Sequence, residues 1–250
     1  MLDTHLKKHT IVTEFLSSLI EADNACLLAI NGWHAPWADT FMYAFSGKWI
    51  WIPLYASLLY VIGRNLRWQV AVGCAVAIAL TIVFADQVGA SLIRPEVARL
   101  RPSNLENPLS AMVHIVNGYR GGSYGFPSCH AANTFGLAFF LVYLFRSRLL
   151  SAFILVWALV TCYSRAYLGV HYPGDLLAGA VLGFVGASLC YGLFQKICRY
   201  RRPEHPRQLW VPVAVGGCYG RGDAGVLLRV ISPFSELITH FDGEFAGPDA

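Results

Sequence analysis

Residues 68–93 read WQVAVGCAVAIALTIVFADQVGASLI, and Asp86 is the only charged side chain among them. A helix needs about 20 residues to cross the hydrocarbon core of a bilayer. The run is therefore long enough to span, and too uniformly apolar to lie half-exposed on a water-soluble fold. Four further runs read the same way: WIWIPLYASLLYVIG (49–63), AANTFGLAFFLVYLF (131–145), LLSAFILVWALVTCY (149–163) and LLAGAVLGFVGASLCYGLF (176–194). The shorter ones borrow flanking residues to reach span length. A sixth, NACLLAINGWHAPWADTFMYAF (24–45), is broken by Gly32 and Pro36 and fits either two short helices or a dip into the interface. The expected fold is all-α, an integral membrane bundle of six transmembrane helices.

Composition agrees. Of 250 residues, 56% are hydrophobic and 14% charged, a balance far from that of a soluble domain. The net charge of +4 is modest and is not laid out as an aromatic-basic face, which argues against nucleic acid as a partner. The seven cysteines, Cys26, Cys74, Cys129, Cys162, Cys190, Cys198 and Cys218, include no C-x2-C pair. They read as small packing residues, not as a zinc site or a disulfide framework. A cleavable signal peptide is not expected, because Glu14, Glu21 and Asp23 interrupt the region that would have to be apolar.

The chain divides into an N-terminal interfacial helix (1–23), a membrane domain (24–200) and a C-terminal cytoplasmic tail (201–250) whose apolar patch is VLLRVISPF (226–234). Arg64 and Arg67 mark one turn, Arg146 and Arg148 a second, and Lys196, Arg199, Arg201 and Arg202 follow the last span. The positive-inside rule puts these three turns in the cytoplasm, which leaves 94–130 and 164–175 at the outer face. Outer loops should be poor in arginine. These carry Arg94, Arg99, Arg101, Arg120 and Arg165, an excess that calls for a bound anion.

Three short motifs share that outer end. IRPEVARLRPSN (93–104) holds Arg94 and Arg101; YGFPSCHAAN (124–133) holds Ser128, Cys129 and His130; YSRAYLGVHYPGDLLAG (163–179) holds Ser164, Arg165, His171 and Asp175. There is no carboxylate cluster for a divalent ion. Arginine forks match phosphate oxygens and stay charged, so the inventory reads as metal-free phosphoryl transfer, with arginines neutralising the transferring group. His171 with Asp175 behind it suits a nucleophile whose second ring nitrogen is held by a carboxylate. His130 suits the acid that protonates the leaving oxygen.

R-x6-R-P (94–102), P-S-C-H (127–130) and S-R-x5-H-x3-D (164–175) together resemble the three-part signature of the type 2 phosphatidic acid phosphatase family, which includes the vanadium haloperoxidases. The family pattern is K-x6-R-P, P-S-G-H and S-R-x5-H-x3-D, and the resemblance covers roughly residues 49–195. It implies a six-helix membrane phosphatase acting on lipid phosphates or diphosphates without a metal or other cofactor. His171 would form a phosphohistidine, Asp175 would orient it, and His130 would be the acid. Arg94, Arg101, Ser128, Cys129 and Arg165 would line the phosphate. Two positions depart from the pattern: Arg94 replaces a lysine, and Cys129 replaces a glycine where the backbone approaches phosphate.

The expected substrate is undecaprenyl diphosphate, handled at the periplasmic side of a bacterial inner membrane. Lipid A, phosphatidylglycerol phosphate and phosphatidic acid are the alternatives, all anionic heads at the same depth. A non-catalytic lipid-phosphate binder is the alternative of another class, and a haloperoxidase is disfavoured because those enzymes are soluble. No protein partner is indicated beyond the surrounding lipid. Ser128 and Asp175 also suit helix caps, and His34 and His114 suit ordinary hydrogen-bonded interface residues. Tyr163, Tyr167, Tyr172 and Trp157 read as anchors or packing residues. Arg146 and Arg148 serve topology alone, and Arg99 is assigned no ligand role.

Overall fold

The computed structural model describes residues 2–203 and 206–220, with side chains from residue 13 to residue 217 in those ranges. The described residues form α1 (Leu2–Gly32), α2 (Pro36–Ser46), α3 (Ile52–Asn65), α4 (Trp68–Asp86), α5 (Arg94–Val97), α6 (Cys129–Phe145), α7 (Arg148–Tyr167), α8 (Pro173–Ile197) and α9 (Trp210–Gly220). A π-helical stretch, Gln87–Ile93, carries α4 into α5 without a break. Among the described residues, pairing of β type is limited to one isolated bridge between Leu100 and Tyr124. The all-α expectation holds.

Each expected span is helical. Trp68–Val97, Arg148–Tyr167 and Pro173–Ile197 are each long and apolar enough to cross a membrane alone. Pro36–Ser46 and Trp49–Asn65 bend by 70° at their junction and have the combined length and apolarity of a fourth, broken span or of a re-entrant loop, and Cys129–Phe145 is a shorter apolar helix. The sixth run is shared between two helices, with residues 24–32 completing α1 and Pro36 opening α2 in its first turn. The interfacial helix expected to stop at residue 23 continues to Gly32, because nothing between Asp23 and Gly32 breaks a helix. The patch at 226–234 lies outside the described residues, while α9, just before it, packs on α3 and α7.

The exposed surface identifies the solvent. Leu59, Val72, Val76, Leu80 and Val83 on α3 and α4 stand exposed, as do Val156 and Leu159 on α7 and Leu177, Val181, Leu189 and Leu193 on α8. Burying each such side chain from water is worth roughly 1.5–3 kcal/mol, so a belt of this extent belongs against lipid.

Inside the belt, α6 is the central helix and packs most extensively on α8. Their axes approach closely because Gly179 and Gly183 present no side chain: a Cβ at Gly179 would strike the Ser128 carbonyl oxygen, and one at Gly183 the Ala132 carbonyl oxygen. Small residues four apart are the usual way for membrane helices to bring backbones together. Around that seam Phe140, Leu141, Leu144, Leu150 and Ile154 are buried. At one end of the bundle Tyr200 donates to the Leu144 carbonyl (2.7 Å), and Asn65 exchanges hydrogen bonds with the Arg207 backbone. The three basic turns therefore share an end, and the three motifs occupy the other.

Candidate active site

Local structure places each motif at a helix terminus. Ser128 caps α6, its Oγ accepting from the Ala131 N–H at 3.4 Å, and its own N–H donates to the Asp175 carbonyl at 3.0 Å. The backbone of the second motif is thereby tied to that of the third. Pro173 opens α8, and the Asp175 Oδ2 accepts from the Tyr172 N–H at 3.1 Å, closing a capping box. Cap and site are thus the same residues here, since a helix N-terminus that satisfies its own donors with Ser and Asp also presents positive potential to an anion. The π-helical stretch ends at Arg94, and its Gly89 lies against Pro127 and Cys129, where an added Cβ would come within 3.5 Å of both. Such insertions gather at functional sites.

His171 is buried in the turn between α7 and α8. Its Nε2 sits 2.7 Å from an Arg101 terminal nitrogen, and its Nδ1 is 3.5 Å from the Asp175 Oδ2. A guanidinium has only protons to offer, so Nε2 accepts and carries a lone pair. The ring proton therefore resides on Nδ1, facing the carboxylate. Burial, and next the charge of Arg101, hold the His171 pKa well below 6.5. The ring is neutral at physiological pH, as a nucleophile must be. Burial, then Arg165 and Arg94, lower Arg101 to about 10, which still leaves it charged.

Three guanidiniums surround this ring. Arg101 also donates to the Val170 carbonyl (3.0 Å). Arg165 is held by Ser46 Oγ (2.6 Å) and the Tyr119 hydroxyl (2.9 Å). Arg94 donates from one nitrogen to the Pro127 carbonyl (3.1 Å) and to Cys129 Sγ (3.0 Å). The two departures from the family pattern are thus in contact: the wide fork at 94 reaches the side chain added at 129. The Nε of all three arginines is buried without a hydrogen-bond partner. Unmet donors on buried cations are costly, and together they describe a receptor for an oxyanion. His130, within electrostatic reach of Arg165, Arg101, Arg94 and His171, is the exposed member of the group.

The structure also gathers residues that the motifs do not reveal. Arg99 binds Asp175 Oδ1 at 2.9 Å and Asp23 Oδ2 at 2.8 Å. Arg99, which the sequence gives no ligand role, lies behind the Asp175 carboxylate. Its only signal in the sequence is the excess of arginine on an outer loop. Gly125 leaves space for the same carboxylate, since a Cβ there would lie 2.9 Å from Asp175 Oδ2. Ser46, Tyr119 and Lys48, which is close enough to His130 to act on it electrostatically, carry no sequence signal. Among the described residues, the group with three metal-type ligand atoms within 4.8 Å is His34, Asp39 and His114, outside this cluster. There Asp39 already accepts from Tyr167 (2.6 Å) and pairs with His114 (3.0 Å), on which His34 stacks.

A helical membrane bundle with an arginine-lined histidine at one end defines a class: multi-pass enzymes that handle phosphate esters of lipids. The PAP2 superfamily pattern matches residues 68–199, and the chain belongs to that superfamily. It is 55% identical over 193 residues, 77% of this chain and 84% of the relative, to the lipid A 4'-phosphatase of Bacteroides thetaiotaomicron. It is 28% identical to the undecaprenyl-diphosphatase of Sulfolobus acidocaldarius over 57% of this chain and 63% of that one. A transmembrane PAP2-type phosphatidylglycerolphosphate phosphatase from Bacillus subtilis shares the fold, with a TM-score of 0.53, 24% identity, and coverage of 74% of this chain and 90% of that one. The protein is a membrane lipid phosphatase of this superfamily.

Proposed function

We propose that the enzyme removes the 4'-phosphate of a lipid A-type glycolipid through a phosphohistidine on His171, without a metal. The observation that carries the chemistry is the set of three buried, unpartnered arginine Nε donors around a histidine whose Nε2 bears the lone pair. The substrate preference rests on kinship: 55% identity to a lipid A 4'-phosphatase against 28% to an undecaprenyl-diphosphatase. Undecaprenyl diphosphate, the first expectation, therefore yields to one of its alternatives.

The geometry supports an ordered sequence. The phosphoryl group draws Arg101 from His171 Nε2 onto an equatorial oxygen, while Arg94 and Arg165 offer their free donors to the others. Nε2 attacks phosphorus, the P–N bond forms as the P–O bond breaks, and His130, protonated once the bound phosphate dianion offsets Arg165, Arg101 and Arg94, gives its proton to the departing sugar oxygen. The Nδ1 proton stays directed at Asp175, which stabilises the positive ring. Water, deprotonated by His130, then cleaves the phosphohistidine and releases inorganic phosphate. Ser128 contributes through the helix terminus it caps, and Cys129 by fixing the Arg94 fork. The orientation with this end outward, at the periplasmic side of an inner membrane, is supported by the three basic turns gathered at the opposite end.

The test is phosphate release by the purified protein from lipid A, undecaprenyl diphosphate, phosphatidylglycerol phosphate and phosphatidic acid, each with and without EDTA. Lipid A is expected to give the highest kcat/KM, unchanged by chelation. Preferred turnover of undecaprenyl diphosphate overturns the substrate assignment. Loss in EDTA that magnesium restores overturns the metal-free chemistry.

A further inference from the structure

Behind His171 and Asp175 stands a pair of residues to which the reaction above assigns no part. Arg99 reaches in two directions, to Asp175 Oδ1 (2.9 Å) and to Asp23 Oδ2 (2.8 Å). Its guanidinium carbon lies over the Tyr172 ring, 3.7 Å from the centroid, and its carbonyl accepts from the Gly125 N–H at 2.9 Å. Asp23 is equally occupied: its Oδ1 accepts from the Gly174 N–H at 2.7 Å. Asp23 belongs to α1, an element outside all three motifs and outside the superfamily match over 68–199.

The two oxygens of Asp175 have separate duties. Oδ2 takes the Tyr172 N–H and faces His171 Nδ1, while Oδ1 belongs to Arg99. Asp175 has no solvent exposure, so the second oxygen finds no water to replace a missing donor. Without Arg99 the carboxylate is held by the Tyr172 N–H alone and pivots about that one hydrogen bond, so Oδ2 is no longer fixed on the line to Nδ1. Asp23 prevents Arg99 itself from swinging away, and the cation–π contact with the Tyr172 ring holds it further. A doubly paired guanidinium over a ring is far better defined than an exposed ion pair, whose worth is small.

We propose that Arg99, anchored by Asp23 of α1, is a positioning residue that sets the orientation of Asp175 toward His171, so that α1 completes the active site. This rests on the reading of His171 as nucleophile. The alternative is that the Asp23–Arg99 pair merely fastens α1 to the bundle.

The experiment compares Arg99→Ala, Arg99→Lys, Asp23→Asn and Asp23→Ala, with the Asp23→Ala/Arg99→Ala double variant, in the full-length protein in detergent. Readouts are kcat, KM and thermal midpoint with one lipid and one aryl phosphate, and His171→Ala serves as a separate control for the nucleophile. Support partners of a reacting group typically cost about 10- to 100-fold when removed. Arg99→Ala is expected to lose kcat in that range with KM within about twofold, because the phosphate ligands are untouched. Arg99→Lys, which keeps one donor, should recover a large part. Asp23→Ala should show a smaller kcat loss, and the double variant should be no worse than Arg99→Ala, since the two act through one carboxylate. If Arg99→Ala does not fold, Asp23→Ala and Asp23→Asn carry the test, and a kcat within twofold of wild type in both overturns the proposal. So does activity that falls only in step with the thermal midpoint, or losses at Asp23 and Arg99 that multiply. An active His171→Ala enzyme would instead refute the phosphohistidine reading.

Discussion

Both ends of the bundle are rich in arginine, and the two sets have opposite fates. At one end Arg64, Arg67, Arg146, Arg148 and Arg199 are exposed at the helix turns. At the other, Arg101 and Arg165 retain 8% and 3% of their accessible surface, and Arg94 is partly covered. An exposed guanidinium keeps its hydration and needs no partner. A buried one must be compensated, and here the protein supplies only part of the compensation, leaving three Nε donors unmet. On the proposed function, burial, more than residue type, separates arginines that orient a membrane protein from arginines that bind its substrate.

The sharpest way to break that contrast is to remove the group the buried set surrounds. His171→Ala should abolish turnover of lipid and aryl phosphates alike, by a factor on the order of 10⁴ or more. Because burial and Arg101 depress the His171 pKa, the ring is neutral above its lowered value and charges only as pH falls through it. A histidine NMR titration in micelles should therefore find His171 still neutral at pH 6.5, and a midpoint at or above 6.5 would contradict the buried, arginine-flanked setting. The same shift makes the folded state prefer the neutral ring, so this contribution to stability is present above pH 6.5 and lost as pH falls through the depressed value.

Arg94→Ala should lower kcat by about 100-fold, the usual effect of losing one donor to a developing oxyanion. Arg94→Lys should restore more activity when paired with Cys129→Gly than alone, because the Cys129 thiol is placed to meet the fork and not an ammonium. Equal rates for Arg94→Lys in both backgrounds would show the 94–129 contact to be incidental. His130→Ala should cost less, and unequally: roughly 100-fold or more on the lipid, whose alkoxide needs a proton, and much less on an aryl phosphate whose phenolate leaves unaided. Equal losses would remove His130 from the acid role. The smallest effect belongs to the exposed end, where Arg146→Ala should keep kcat within about twofold. A large loss there would mean that exposure does not separate the two sets.

Much of this was legible in the residues themselves. Uniform apolar runs declare membrane helices, because a bilayer leaves backbone polar groups no partners but those within the helix. The placement of the motifs at span ends brings His130, His171, Asp175, Arg94, Arg101 and Arg165 to one end by sequence alone, since these span ends share a membrane face. Arg99 and Asp23 show the limit. They lie 76 residues apart in sequence or more from the partners that define them, and a lone arginine or aspartate bears no pattern saying which distant carboxylate or helix it will meet. The span of α1 shows it too: an acidic helix beginning reads as interfacial, while the helix runs on to Gly32 and packs against α7 and α8.

Residue chemistry alone determined the solvent, the helical class and the reaction type, because hydrophobic length and the arginine-histidine inventory are properties of short segments. Tertiary structure alone decided which nitrogen of His171 carries the proton, which arginines are buried with unmet donors, that Arg94 and Cys129 touch, and that α1 is linked through Arg99 to the Asp175 carboxylate. Those depend on distances of about 3 Å between groups far apart along the chain, and a hydrogen bond exists only where folding has closed that distance.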